Sequence, residues 1–220
     1  MIMFRLLLST LLILFSSSLF AQSLTPDEKQ VFDEIVYKRR QVGEYAVISK
    51  WAAPIRYKVY GDIESWLMKE IDSTFNQLKR LTKLDISKTT SDDEANFIFV
   101  IGKKEIGKLS QNMEKYLDSY GGTQYKTNKN LEVSRVENFV NADKYRFKTD
   151  VRYVVKKHII KSFGFFQTTM AAPSSLFYAQ SNNKLKIDAF DSHIISTLYL
   201  PAIKSGMSKD EVDQVLKEIQ

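Results

Sequence analysis

The stretch Val154-Val155-Lys156-Lys157-His158-Ile159-Ile160-Lys161-Ser162-Phe163-Gly164-Phe165-Phe166-Gln167 governs how the rest of the chain is read. Its spacing is that of a zinc-holding helix, H-E-x-x-H-x-x-G, with the chemistry replaced. Aligned on Gly164, the ligand positions hold Lys157 and Lys161, the general-base position holds His158, and Gln167 stands three residues past the glycine. Zinc needs neutral imidazoles, thiolates or carboxylates converging on one point, and a Glu to take a proton from the bound water. Two ammonium groups at ligand positions repel a dication instead. The spacing therefore predicts no zinc site at residues 157–167 and no cofactor. Asp150 can cap this helix, which should run through Ser162. The β-branched Val151, Val154, Val155, Ile159 and Ile160 keep a buried strand open as the alternative.

Upstream, Leu131 to Val140 partly alternates and reads as a strand, while residues 103–130 are irregular, with turns around Ile106 and Tyr116 and a break at Gly121-Gly122. Asn96 to Ile101 is an apolar run closed by Gly102, the pattern of a central buried strand. A polar loop, Ser87 to Glu94, separates it from a possible short strand at Leu84-Asp85-Ile86. Ile63, Trp66, Leu67, Ile71, Phe75, Leu78 and Leu81 fall on one helical stripe. Before it, Ile55 to Tyr60 alternates as a strand and ends at Gly61-Asp62, with Asp62 placed as the next N-cap. Thr25-Pro26-Asp27-Glu28 is a capping box that starts a helix expected to reach about Arg40, with Val31, Phe32, Ile35 and Val36 on one face. Gln41 to Lys50 then reads as a connector, which makes that helix an accessory. Downstream lie a helix from about Asp188 to Tyr199 and another opened by the capping box Ser208-Lys209-Asp210-Glu211. Strand, helix, strand, strand, then helices is the order of an α+β domain whose sheet carries two long helices on one face.

The ends and the composition narrow the setting. Arg5, the apolar run Leu6 to Leu14 and Ser16 to Ala21 make residues 1–21 a secretory signal with cleavage after Ala21. The apolar run is about half of the ~20 residues that a spanning helix needs. Cleavage would leave 199 residues carrying 31 Lys+Arg against 26 Asp+Glu, a charge of +5. The organisation expected is a signal at 1–21, a helical extension at 22–47 and one domain at 48–220. The chain has no Cys, so disulfides, thiolate metal sites and cysteine nucleophiles are excluded. The expected location is periplasmic or secreted, with no transmembrane segment in the mature chain. The basic charge suits anionic surfaces, but no nucleic-acid signature accompanies it.

Four further segments come in a fixed order. They are Ser49-Lys50-Trp51-Ala52-Ala53-Pro54-Ile55-Arg56, ending at Gly61, then Leu78 to Ile86 followed by Ala95-Asn96-Phe97, then the helix ending in Phe163-Gly164. The last runs from Pro173-Ser174-Ser175-Leu176-Phe177 through Phe190-Asp191 and Leu198-Tyr199-Leu200-Pro201 to Gly206-Met207. Together they resemble the bacterial exported domain-of-unknown-function family 2927, which is similar to the zincin metallopeptidases. The resemblance spans roughly residues 48–217 and implies a zincin-like α+β fold, with a small mixed or antiparallel sheet and residues 150–163 as a central buried helix. The family's paired glutamates and glutamine on the motif helix are here Lys157, His158 and Lys161, and its Asn-Asp pair after the glycine is Gln167-Thr168. The resemblance thus implies a degenerate site, a pseudoenzyme without the usual carboxylates.

Candidate sites follow from the residue types. His158 and His193 are the only histidines and, with Asp188 and Asp191, are the weak candidates for metal or acid–base chemistry. Lys156, Lys157 and Lys161 form a possible anion-binding strip, because the last two are helix neighbours at i, i+4. Tyr116, Tyr120 and Tyr125, with Lys115, Lys126 and Lys129 around the Gly-Gly break, offer a surface for sugar rings or peptides. The paired carboxylates Asp92-Asp93 and Asp188/Asp191 have no sequence surroundings that would raise a carboxyl pKa, and serine-hydrolase and phosphate-loop motifs are absent. The reading is an exported, non-catalytic binding domain whose partner is an envelope protein or glycan. The alternatives are a divergent hydrolase using His158 or His193 and a structural subunit docked through the helix at 26–40.

Overall fold

The computed structural model describes residues 23–38 and 46–219. The expected signal at 1–21, and the connector residues 41–45, lie outside them. Helix α1 (Pro26–Val36) opens on the capping box foreseen from its sequence: the Thr25 N–H donates to Glu28 at 2.8 Å and the Glu28 N–H to the Thr25 hydroxyl at 3.3 Å. It stops at Val36, earlier than its sequence suggests, because Tyr37–Lys38 (β1) turn extended and pair antiparallel with Val47–Ile48 (β2). Backbone pairing there outweighs helix propensity. Val31, Phe32, Ile35 and Val36 are buried in the same core cluster as residues of the sheet and of the later helices.

The sheet has five strands: β3 (Ile55–Tyr60), β4 (Ile86–Lys88), β5 (Phe97–Ile101), β6 (Gly121–Thr127) and β7 (Val133–Val140), in the order β4-β3-β5-β7-β6. Every neighbouring pair is parallel except β6 with β7, so the sheet is mixed and its antiparallel strand forms one edge. β5 is buried on both faces, as its unbroken apolar run requires. Phe97, Phe99 and Ile101 join the larger core under the helices. Ile98 and Val100 face a smaller cluster with Leu109, Met113 and Phe139, roofed by 3-10 turns at residues 103–108 and 111–116. Those turns are attached by the buried Glu137, which accepts from the Ser110 N–H at 2.9 Å and from Arg135 at 2.9 Å.

Helix α2 (Ser65–Thr82) carries the parallel crossover after β3, with Leu67, Ile71, Phe75 and Leu78 facing the sheet. Its N-cap position is Glu64 and makes no side-chain cap, so the expected capping by Asp62 does not occur. Helix α3 (Lys148–Lys161) settles the helix-or-strand question for the motif stretch. Val155, Ile159 and Ile160 seat it on the core, and Lys156 and Arg152 meet Glu70 of α2 at 2.6 and 2.7 Å. Gly164 ends this region at φ +101°, where a Cβ would sit 2.7 Å from the Ser49 carbonyl oxygen. That close approach requires glycine. Helices α4 (Ala189–Leu198) and α5 (Lys209–Glu218) complete the chain, α5 on a second capping box at Ser208 and Glu211. Among the described residues no helix is long and apolar enough to cross a membrane.

Candidate functional site

Helical spacing places Tyr153, Lys157 and Lys161 one turn apart on a single face of α3. With Val154 and His158 they form one wall of a cleft of about 460 Å³. Thr123 and Tyr125 of the edge strand β6, Tyr145, Phe165, Phe166 and residues 179–181 line the rest of it. The Tyr125 and Phe166 rings meet at 4.5 Å, so the apolar part of the wall is largely aromatic. No Asp or Glu lines it among the described residues.

At the back of the cleft a chain of polar groups orients His158. The Thr123 hydroxyl donates to Asn138 Oδ1, so its lone pairs accept from His158 Nδ1 at 2.9 Å. Asn138 Nδ2 donates to the Ser162 hydroxyl at 3.0 Å, and that hydroxyl donates to the His158 carbonyl at 2.8 Å. This assigns the proton to Nδ1 and leaves Nε2 an acceptor. Burial, reinforced by the charges of Lys161 and Lys157, pushes the imidazole down to about 4, so it is neutral near pH 7.

The two lysines differ in what holds them. Lys157 Nζ donates to the Tyr153 hydroxyl at 3.0 Å and to the Tyr178 carbonyl, and stands 5.2 Å from the Tyr153 ring centre. Burial, with Lys161 beside it, pushes Lys157 down to about 8. Lys161 is also lowered by burial, yet it has no hydrogen-bond or acid partner among the described residues.

Of the residues singled out in the sequence, the fold thus gathers Tyr125, Lys157, His158 and Lys161. Tyr116 lies outside the cleft. Its ring packs on Gly122, where a Cβ would come within 2.4 Å of it, and it borders a shallow groove with Lys115. Tyr120 is 60% exposed and meets Tyr145 at 5.3 Å without entering the cleft. Lys126 is exposed on β6 and does not line the cleft either. The expected break at Gly121-Gly122 is instead the start of β6, where the two glycines pair with Val140 and Phe139. Lys156 drops out of the anion strip because it is turned into the interface with α2.

The histidines do not form a pair. His193 Nδ1 lies 2.9 Å from Glu28 of α1, and His193 is absent from the cleft lining. Asp188 caps α4 through the Asp191 N–H, and buried Asp191 accepts from the Ser175 hydroxyl and pairs with Lys184 at 2.6 Å. Contrary to the expectation from sequence, burial pushes the Asp191 carboxyl up. Among the described residues no three His, Asp or Glu side chains could together hold a metal. Asp92 is engaged by Lys58 and Tyr60. Thr123, Asn138, Tyr145, Tyr153 and Phe166 were missed in the sequence. Only Tyr153 had a signal there, four residues before Lys157 on the same helix face.

The quoted sequence segments meet in space around the end of α3. Trp51 Nε1 donates to the Ser162 carbonyl at 2.9 Å, Lys50 Nζ to the Leu198 carbonyl at 2.7 Å, and the Tyr199 hydroxyl to the Phe163 carbonyl at 2.9 Å. Asn96 likewise accepts from the Arg56 N–H and donates to the Pro54 carbonyl, both at 2.8 Å. A family described as "Protein of unknown function (DUF2927)" matches residues 28–218. The chain belongs to this family. The match runs from the first turn of α1 to the last of α5, so the family's domain holds the cleft and everything that shapes it. No curated protein matches the chain.

Proposed function

We propose that the protein is an exported, non-catalytic binding domain of the cell envelope whose cleft is a degenerate zincin-like site. The observation that carries this reading is the make-up of that cleft: Lys157, His158 and Lys161 converge with aromatic rings, and no carboxylate of the described residues stands among them. The mixed sheet and the buried helix at Lys148–Lys161 support the zincin-like relationship, since both are expected of that fold. The hydrolase alternative has weaker support. An imidazole pushed down to about 4 is a poor base near neutrality, and His193 is engaged by Glu28. Docking through α1 is also disfavoured, because the apolar face of that helix is buried within the domain.

The test is capture of partners from envelope extracts, comparing wild type with Tyr125→Ala, alongside metal analysis of the purified protein. A protein or glycan retained by wild type and lost by the variant supports the reading. Stoichiometric zinc that disappears in His158→Ala, or hydrolysis of peptides or glycans with no partner captured, overturns it.

A further inference from the structure

Resting on that binding reading, we infer that the cleft takes a small amphiphilic oxyanion. Its carboxylate or phosphate head would sit between Lys157 and Lys161, with an apolar or aromatic body against Tyr125, Tyr145 and Phe166. Three observations converge. The first is charge: two ammonium groups one helical turn apart share a half-enclosed space, and like charges at that spacing repel. Elsewhere in the fold, buried basic groups are answered. Lys156 has Glu70, and Lys50 has the carbonyls ending α4. Lys161 has neither an acid nor a hydrogen-bond acceptor among the described residues, and all three of its N–H groups are open to a ligand.

The second observation is shape. A volume of about 460 Å³ with aromatic walls suits a small organic molecule and exceeds what an isolated ion requires. The third is how the neighbours are fixed. Lys157 is held by Tyr153 and the Tyr178 carbonyl, and His158 by Thr123, so the groups beside the head are positioned before any ligand arrives. An anion between the lysines would favour their charged forms and raise their pKa values. Binding therefore takes up protons around and above pH 8, where Lys157 without a ligand has partly lost its own.

Calorimetry with four probes decides the matter: phenylacetate, phenyl phosphate, and the uncharged 2-phenylacetamide and 2-phenylethanol. At least one anion is expected to bind one-to-one, at least tenfold tighter than either neutral probe, which corresponds to about 1.4 kcal/mol. Whichever anion binds tighter names the head group. Titrations at pH 8.5 in two buffers of different ionisation enthalpy should reveal the proton taken up. Lys161→Met is expected to weaken binding about tenfold or more, whereas Lys161→Arg keeps it and Lys104→Met, at an exposed position that does not line the cleft, leaves it unchanged. Thermal melts show that each variant is folded. Equal binding of neutral and charged probes, unchanged affinity in a folded Lys161→Met, or no binding of either anion at millimolar concentration overturns the inference. If both anions fail while envelope capture still depends on Tyr125, only the oxyanion ligand falls and the binding reading stands.

Discussion

Lys161 carries a charge that no described residue answers, and a desolvated, unpaired ammonium destabilises a fold. Lys161→Met should therefore raise stability at pH 7 by on the order of 1 kcal/mol, as sites kept for function commonly allow. The measurement is the urea midpoint at unchanged slope; a lower midpoint would make the ammonium a structural group. His158 gives a pH dependence of defined sign. Its pKa is about 4 in the fold against an ordinary 6.5, so between those values the unfolded chain binds a proton that the native state refuses. Stability then falls as pH drops from 6.5 to 4, by up to about 1.4 kcal/mol per unit for one proton. His158→Gln should flatten the upper half of that window, above the range where the carboxylates of Glu28, Glu70 and Glu137 add their own acid loss. An unchanged profile in the variant would show that His158 is not the group responsible.

At the scale of elements, the helices are joined to one another through charge as well as through the core. Glu70 of α2 takes both Lys156 and Arg152 of α3, and Lys156 is 3% exposed. Glu70→Ala strands a buried ammonium, which costs about 3–5 kcal/mol where one partner of such a pair is removed. Lys156 also donates to the Leu185 carbonyl, which places the expected loss at the lower end. A double variant, Glu70→Leu with Lys156→Met, should recover most of it, and chemical denaturation of the two variants checks both statements. The capping box of α1 is a smaller effect: Thr25→Ala should lower stability by about 1 kcal/mol, read as a reduced melting temperature.

For the molecule as a whole, α1 supplies four side chains of the main core. Val31, Phe32, Ile35 and Val36 are all 1% exposed or less, and each such side chain contributes about 1.5–3 kcal/mol when buried. Together they match the net stability of an ordinary domain, about 5–15 kcal/mol. Ion pairs of Lys29 with Asp213 and of Lys209 with Asp33 fasten the same helix to α5, and His193 fastens it to α4. A chain beginning at residue 46 is therefore expected to lose cooperative unfolding, as followed by circular dichroism during heating. A sharp transition close to the intact protein's would show that the helix is dispensable.

Local rules carry far in this chain. The capping boxes at Thr25 and Ser208, the stripe of α2, the apolar run of β5 and the motif frame closing at Gly164 are all set by neighbours within a few residues. The sequence alone therefore determined the α+β class, and it set Lys157, His158 and Lys161 at helical spacing ahead of Gly164. It did not determine where α1 ends, because that depends on backbone pairing with residues 47–48. Nor did it reveal that the tyrosine-rich segment is an edge strand, since two glycines read locally as a break until Val140 and Phe139 supply their partners. The cleft was likewise decided by tertiary structure. Thr123, Tyr145 and Phe166 reach α3 from separate parts of the chain. Charge and burial of a lysine depend on what the fold brings near it, and only the packed chain turns Lys156 toward Glu70 while leaving Lys161 facing open space.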